Sequence, residues 1–258
     1  MGASEMDASL LTSFVYLRSF QNKRADVPMR SWALDSGAFT AHNSGKAIDL
    51  REYIRTAKEL QSQDRLLWDV FALDVIGDAK ASLNNANKMR QAGIEAIPTF
   101  HFGSDLKDLK HIAKDFPKIA LGGLAAKRAG NHGQQVSKSE KYVFLQRCFE
   151  VIWPTRIHLF GCTDEKLLLT FPAESADSTS WHLQPSRYGL WKNMGRLRGV
   201  RGKALQSGIR GQIRYCLDVE KQVQGKWRHL HLSNGIKEFS YRFATTGAEL
   251  KYFKKVQT

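Results

Sequence analysis

The stretch Leu66-Leu67-Trp68-Asp69-Val70-Phe71-Ala72-Leu73-Asp74-Val75-Ile76-Gly77-Asp78 (66–78) decides the fold class. An apolar run of strand length breaks at Asp74 and Gly77. Asp78 stands where a helix N-cap belongs, the helical spacing of 79–91 follows, and Gly93 marks its stop. The next strand is predicted over 95–102. The same alternation extends in both directions. A short strand at 31–34 precedes a helix over 49–63 with Leu50, Ile54, Ala57 and Leu60 on one face. Downstream come a helix over 106–115, a strand over 118–121, a helix from Ser137 to about 152, a strand over 156–160 ended by Gly161, a short helix over 164–170 and a strand starting at Ala176. Residues 9–20 read as an opening helix, and near the C-terminus 212–223 reads as a helix and 227–232 as a candidate strand. Repeated strand–helix units imply a parallel sheet. Acids and small residues at the strands' C-terminal ends favour an α/β fold of the (β/α)8 TIM-like barrel type, incomplete or irregular, over a doubly wound sheet. Dinucleotide binding has little support, because no Gly-x-Gly-x-x-Gly follows the first strand.

The 258 residues suffice for a large core, and no run approaches the roughly 18 apolar residues of a membrane helix. The N-terminus lacks a basic, apolar signal pattern, and Cys148, Cys162 and Cys216 are odd in number and widely spaced. Reduced thiols in a cytoplasmic protein are the expectation, with no metal and no cofactor.

Charge divides the chain. Of the net +14, residues 182–258 hold +12, with 16 Lys and Arg against 4 Asp and Glu. Residues 1–181 are therefore expected to form the main body with the active site. Residues 182–258 form a basic segment that completes the barrel and contacts a polyanion. Within it Arg187, Lys192, Arg196, Arg198, Arg201 and Lys203 lie among Tyr188 and Trp191, a mixture that neutralises phosphates and stacks on bases.

Three strand-end turns carry the candidate chemistry. Leu34-Asp35-Ser36-Gly37-Ala38-Phe39 offers a carboxylate, small residues that admit a flat ring, and an aromatic face for it. Gly122-Gly123-Leu124-Ala125 exposes backbone at a second strand end, and Asp177 in Ser175-Ala176-Asp177-Ser178-Thr179 sits at a third.

These three turns, in this order, resemble motifs of the tRNA-guanine transglycosylases. The stretch 34–39 is similar to their Asp-Ser-Gly-Gly-aromatic motif and 120–125 to their Gly-Gly-Leu-Ala turn. Leu159-Phe160-Gly161-Cys162 followed by Asp177 resembles their strand-glycine and nucleophilic aspartate. The likeness covers roughly 32–181. The tRNA enzymes are longer and hold a zinc site of clustered cysteines and a histidine, which this chain lacks. In that respect it looks more like the DNA-guanine transglycosylases of phages and bacterial genomic islands, which insert 7-deazaguanines such as preQ0 into DNA.

The resemblance implies a pentosyltransferase of the bacterial or phage-infected cytoplasm that exchanges guanine in DNA for a free 7-deazaguanine base. Base exchange on tRNA and a non-catalytic nucleic-acid-binding barrel stay open, as does a protein partner in a modification system. It implies Asp177 as nucleophile and Asp35 as the acid that shuttles a proton. It further implies that Ser36, Phe39, Asp74 and Phe160 bind the base and that Gly122, Gly123 and Leu124 offer backbone groups to it, while His101 is expected to touch the base from its place at a strand end. Ordinary alternatives stand beside these roles: turn or cap positions for Asp35, Asp74 and Asp177, and core packing for Phe39, Phe160 and His101. Asp78 is better explained as an N-cap.

Overall fold

The computed structural model describes residues 8–26, 29–124, 136–162, 164–179, 190–191, 195–196, 202–233 and 242–246. Eleven strands are assigned among them: β1 (Ala8–Ser13), β2 (Met29–Asp35), β3 (Leu67–Phe71), β4 (Ala96–Ile97), β5 (Thr99–His101), β6 (Lys118–Gly122), β7 (Arg156–Leu159), β8 (Ser175–Asp177), β9 (Leu190–Trp191), β10 (Gly195–Arg196) and β11 (Arg242–Thr246). The helices between them are α1 (Leu17–Gln21), α2 (Ala38–Asn43), α3 (Leu50–Gln63), α4 (Ala79–Gln91), α5 (Leu106–Asp115), α6 (Lys138–Ile152), α7 (Glu165–Thr170) and α8 (Gly202–Ser233). This is an α/β fold on one nine-stranded, wholly parallel sheet, in the order β4-β3-β2-β1-β11-β8-β7-β6-β5, with β9 and β10 forming a separate antiparallel pair.

Both ends of that order belong to one chain segment. Residues 96–97 pair with β3, residues 99–101 pair with β6, and Pro98 alone separates them. The order contains none of the reversals that mark a doubly wound sheet. The strand β11, drawn from the basic C-terminal segment, fills the place between β1 and β8.

Alternation along each strand sends residues to two different cores. Leu10, Trp32, Leu34, Val70, Ile119, Leu121, Ile157 and Leu159 pack against helix residues such as Tyr53, Met89, Leu109 and Leu145. Their neighbours Leu11, Ala33, Phe71, Ile97 and Ala120 cluster together on the opposite face. That second face is partly polar. Ser9 and Ser31 share a hydroxyl hydrogen bond of 2.9 Å, and Lys118 is buried between Asp69 and Glu174. The Lys118 ammonium also lies 4.4 Å from the Trp68 ring centroid. Burial pushes the Asp69 carboxyl up, while Lys118 opposes the rise.

The helices start where side chains can satisfy their free N–H groups. Asp49, Asp78, Asp105 and Asp164 accept from first-turn amides, and Ser137 and Glu140 form a capping box. Asp78 is thus the cap its position suggests. Two sequence expectations are corrected. The helix expected over 9–20 is strand over residues 9–13. Leu10 and Leu11 face opposite cores and β1 pairs on both sides, so helix is confined to Leu17–Gln21 after one 3-10 turn. The strand considered for 227–232 instead belongs to α8, whose buried Ile209, Ile213, Cys216, Val219 and Val223 keep helical spacing. No described helix is long and apolar enough to cross a membrane. The three cysteines are buried and unpaired.

Because Lys118 supplies the buried positive charge between Asp69 and Glu174, Lys118→Met should lower stability by about 3–5 kcal/mol in urea unfolding. Replacing Lys118, Asp69 and Glu174 together with apolar residues of similar volume should recover most of that loss. Equal stability of Lys118→Met and wild type would contradict a neutralising role.

Candidate active site

Parallel pairing throughout the sheet puts all its strand C-termini at one end, so residues distant in sequence meet there. A cleft of about 400 Å³ opens at that end and is lined by Asp35, Ser36, Phe39, Asp74, His101, Gly122, Gly123, Phe160 and Asp177, together with Leu11, Thr99 and Gly161. Its volume is in the range of small-molecule sites. Leu124 is placed differently: it is fully buried in the helix-facing core and does not line the cleft. Arg187, Lys192, Arg198 and Arg201 lie outside the described residues. Arg196 and Lys203 fall in β10 and α8, where only the backbone is described.

Asp35 is the last residue of β2, and the chain turns sharply after it. Gly37 adopts φ +77°, and a Cβ there would stand 2.2 Å from the Ser13 hydroxyl oxygen, so glycine is required on both counts. The Gly37 N–H donates to Asp35 Oδ2 at 3.0 Å. The turn alternative for Asp35 is therefore met by its carboxylate, which accepts the Gly37 N–H and also lines the cleft. Burial, then the negative charges of Asp177 and Asp74, push the Asp35 carboxyl up to about 7, against opposing hydrogen bonds from Gly37 and Ser13. Tyr53 stands beneath, donating to the Phe71 carbonyl at 2.7 Å. Its phenol is raised well above the usual range by burial and then by Asp35 and Asp74.

Asp177 ends β8 and is buried. Its Oδ1 accepts from the Gly161 N–H at 3.0 Å, a contact across two strand ends. Asp74 follows β3 and lies 3.2 Å from His101 Nε2 through Oδ2, while its Oδ1 is buried without a hydrogen-bond partner. A buried acceptor of this kind suits an N–H group of a ligand. Across the cleft the wall is stripped to backbone. A Cβ on Gly122 would come within 2.9 Å of both His101 and Thr99, and Gly123 has φ +80°.

Two rings complete the cleft. Phe39 stands at its rim, 64% exposed, and Phe160 lines it while packing at 4.6 Å from both Phe71 and His158. Phe39 is therefore not a core residue. Exposure of so large an apolar ring beside two acids suits stacking on a planar ligand.

Sequence reading missed Leu11, Thr99 and the buried His158 behind Asp177, and took Gly161 only as a strand-end glycine. Leu11 was hidden by the helix expected over its segment. Thr99 shares strand parity with His101, and His158 shares it with Phe160, a signal that alternation could have supplied.

Comparison with protein-family models and with curated proteins finds no match, so the reading of this cleft rests on its geometry and on the motif resemblance.

The pH dependence of stability follows from Asp35. Its folded-state pKa lies above the unfolded carboxyl value of 3.8, so the folded protein binds the extra proton between the two values. Its contribution is fully present below pH 3.8 and is lost as pH rises through about 7. In urea unfolding between pH 4 and 8, Asp35→Asn should gain stability relative to wild type as pH rises. A constant difference between the two proteins would show that Asp35 does not titrate in this window.

Proposed function

We propose that this protein is a base-exchanging transglycosylase that replaces guanine in DNA with a 7-deazaguanine of the preQ0 type. One observation carries the reading: Asp35 and Asp177, far apart in sequence, line a single cleft, and the charge of Asp177 is a cause of the raised Asp35 pKa. We also read the sheet as a closed (β/α)8 TIM-like barrel of eight strands, counting 96–101 as one interrupted strand. The pairing of its two halves with β3 and β6, and the separate core on the second face, support this reading.

The chemistry follows from the two acids. The Asp177 carboxylate attacks C1′ of the target nucleotide, and the C1′–N9 bond breaks with oxocarbenium character. Asp35, poised near neutrality, gives its proton to N9 of the departing guanine. The incoming base then returns a proton from its own N9–H to Asp35, and its N9 displaces Asp177 from C1′. Two displacements retain the configuration at C1′, and the proton count closes on Asp35. Asp74 accepts hydrogen bonds from the N–H edge of the base, with His101 beside it. The backbone at Gly122 and Gly123 reads the opposite edge. Phe39 and Phe160 hold the ring between them. A guanine in duplex must first leave the stack, at a cost of a few kcal/mol that stacking on aromatic side chains offsets in part. The basic segment 182–258, with its +12 charge, supplies the attraction for the polymer.

The test is direct incorporation. Purified protein incubated with radiolabelled 7-deazaguanine and either duplex DNA or tRNA should transfer label to the DNA. Asp177→Asn should abolish transfer, and Asp35→Ala should reduce it by at least ~10²-fold. Label in tRNA instead would reassign the polymer. Tight, salt-sensitive binding without transfer to either polymer would favour a non-catalytic binding subunit.

A further inference from the structure

We propose that His158, which nothing in the motif resemblance assigns, is a positioning residue that fixes the Asp177 carboxylate through its Nε2–H; this rests on the reading of Asp177 as the nucleophile. His158 is fully buried on β7, one strand away from Asp177, and its register partner on β8 is Ser175. Its ring is held between Phe71 and Phe160, each at 4.6 Å between centroids. Nδ1 lies 2.8 Å from the Ser175 hydroxyl, and Nε2 lies 3.4 Å from Asp177 Oδ1. Apart from that approach, Nε2 is buried and has no hydrogen-bond partner.

These contacts choose one tautomer. Burial keeps the imidazole neutral by lowering its pKa, so one ring nitrogen carries the proton and the other accepts. A carboxylate oxygen can only accept, which puts the proton on Nε2 and makes the Ser175 hydroxyl the donor to Nδ1. Ser175 and Asp177 are two residues apart on β8 and lie on the same side of the strand, so one strand both orients the histidine and holds the acid.

Gly161 N–H and His158 Nε2 both address Oδ1 and leave Oδ2 out of either contact. A carboxylate that attacks carbon needs one oxygen fixed and the other presented. At 3.4 Å the histidine contact is long for a formed hydrogen bond, as is common before substrate arrives.

Two measurements decide the matter. First, 15N chemical shifts of His158 in the wild-type protein should report a neutral ring protonated at Nε2; a ring protonated at Nδ1 would overturn the inference whatever the protein's activity. Second, in the incorporation assay, His158→Leu should lower kcat by about a hundredfold with both KM values within twofold, as expected for a misplaced nucleophile. His158→Gln, whose side-chain amide can present an N–H at a similar reach, should recover most of the loss. Unchanged kcat in His158→Leu sinks the inference and spares the transglycosylase reading. Equal loss in both variants, in step with equal falls in melting temperature, assigns His158 a purely structural part. Absence of transfer by the wild-type protein sinks the reading of Asp177 and removes the role proposed for its neighbour.

Discussion

Two carboxylates facing one half-dry cleft repel each other, and much else in the molecule accommodates that repulsion. Burial removes the water that would screen Asp35, and the charges of Asp177 and Asp74 raise the cost of ionising it further. Each acid is held in place by backbone. The Gly37 N–H binds Asp35 and the Gly161 N–H binds Asp177. The glycine at position 37 is dictated by positive φ and by the nearness of Ser13. The arrangement separates the roles of two chemically identical groups. Asp35 keeps a proton near neutral pH, while Asp177, held through one oxygen, faces the same space.

The sheet makes this meeting possible at low cost. Parallel pairing gathers every strand end on one side, and the capped helices α3, α4, α5, α6 and α7 each return the chain to the other side. The two faces of the strands carry different tasks. The helix-facing side is a dense aliphatic and aromatic core. The other side holds a small apolar layer, with the Lys118 network toward the strand starts and the candidate site at the strand ends. A buried lysine between two acids adds little net stability compared with apolar packing. It does specify which side chains share that interior.

Much of the site was legible because its turns break the apolar pattern with unusual residues. Asp35 before Ser36-Gly37, the double glycine at 122–123 and Asp177 after Ser175-Ala176 each put a polar or minimal side chain where a buried strand ends. Leu124, expected to offer its backbone to the base, sends its side chain into the helix-facing core, a direction that a turn motif does not encode. The first strand was illegible for a different reason. Leu17 and Phe20 have helical spacing and lie only a few residues beyond Leu10 and Leu11, so strand and helix merge into one apolar run. The long helix α8 was shortened in the sequence reading, although Gly211 and Gly225 lie in open space within it and cost the helix propensity rather than packing. That His158 meets Ser175 depends on strand register, which spacing in a single sequence does not encode.

In the proposed function Asp177 carries the sugar while Asp35 carries the proton. The most direct measurement is peptide mapping of the protein after acid quenching of a reaction with a guanine-containing DNA oligonucleotide. A sugar-linked mass is expected on the peptide that contains Asp177, and it should persist when Asp35 is replaced by Asn and the oligonucleotide carries a better leaving base. A linkage to Asp35, to Asp74 or to a residue outside the cleft would contradict that division of roles.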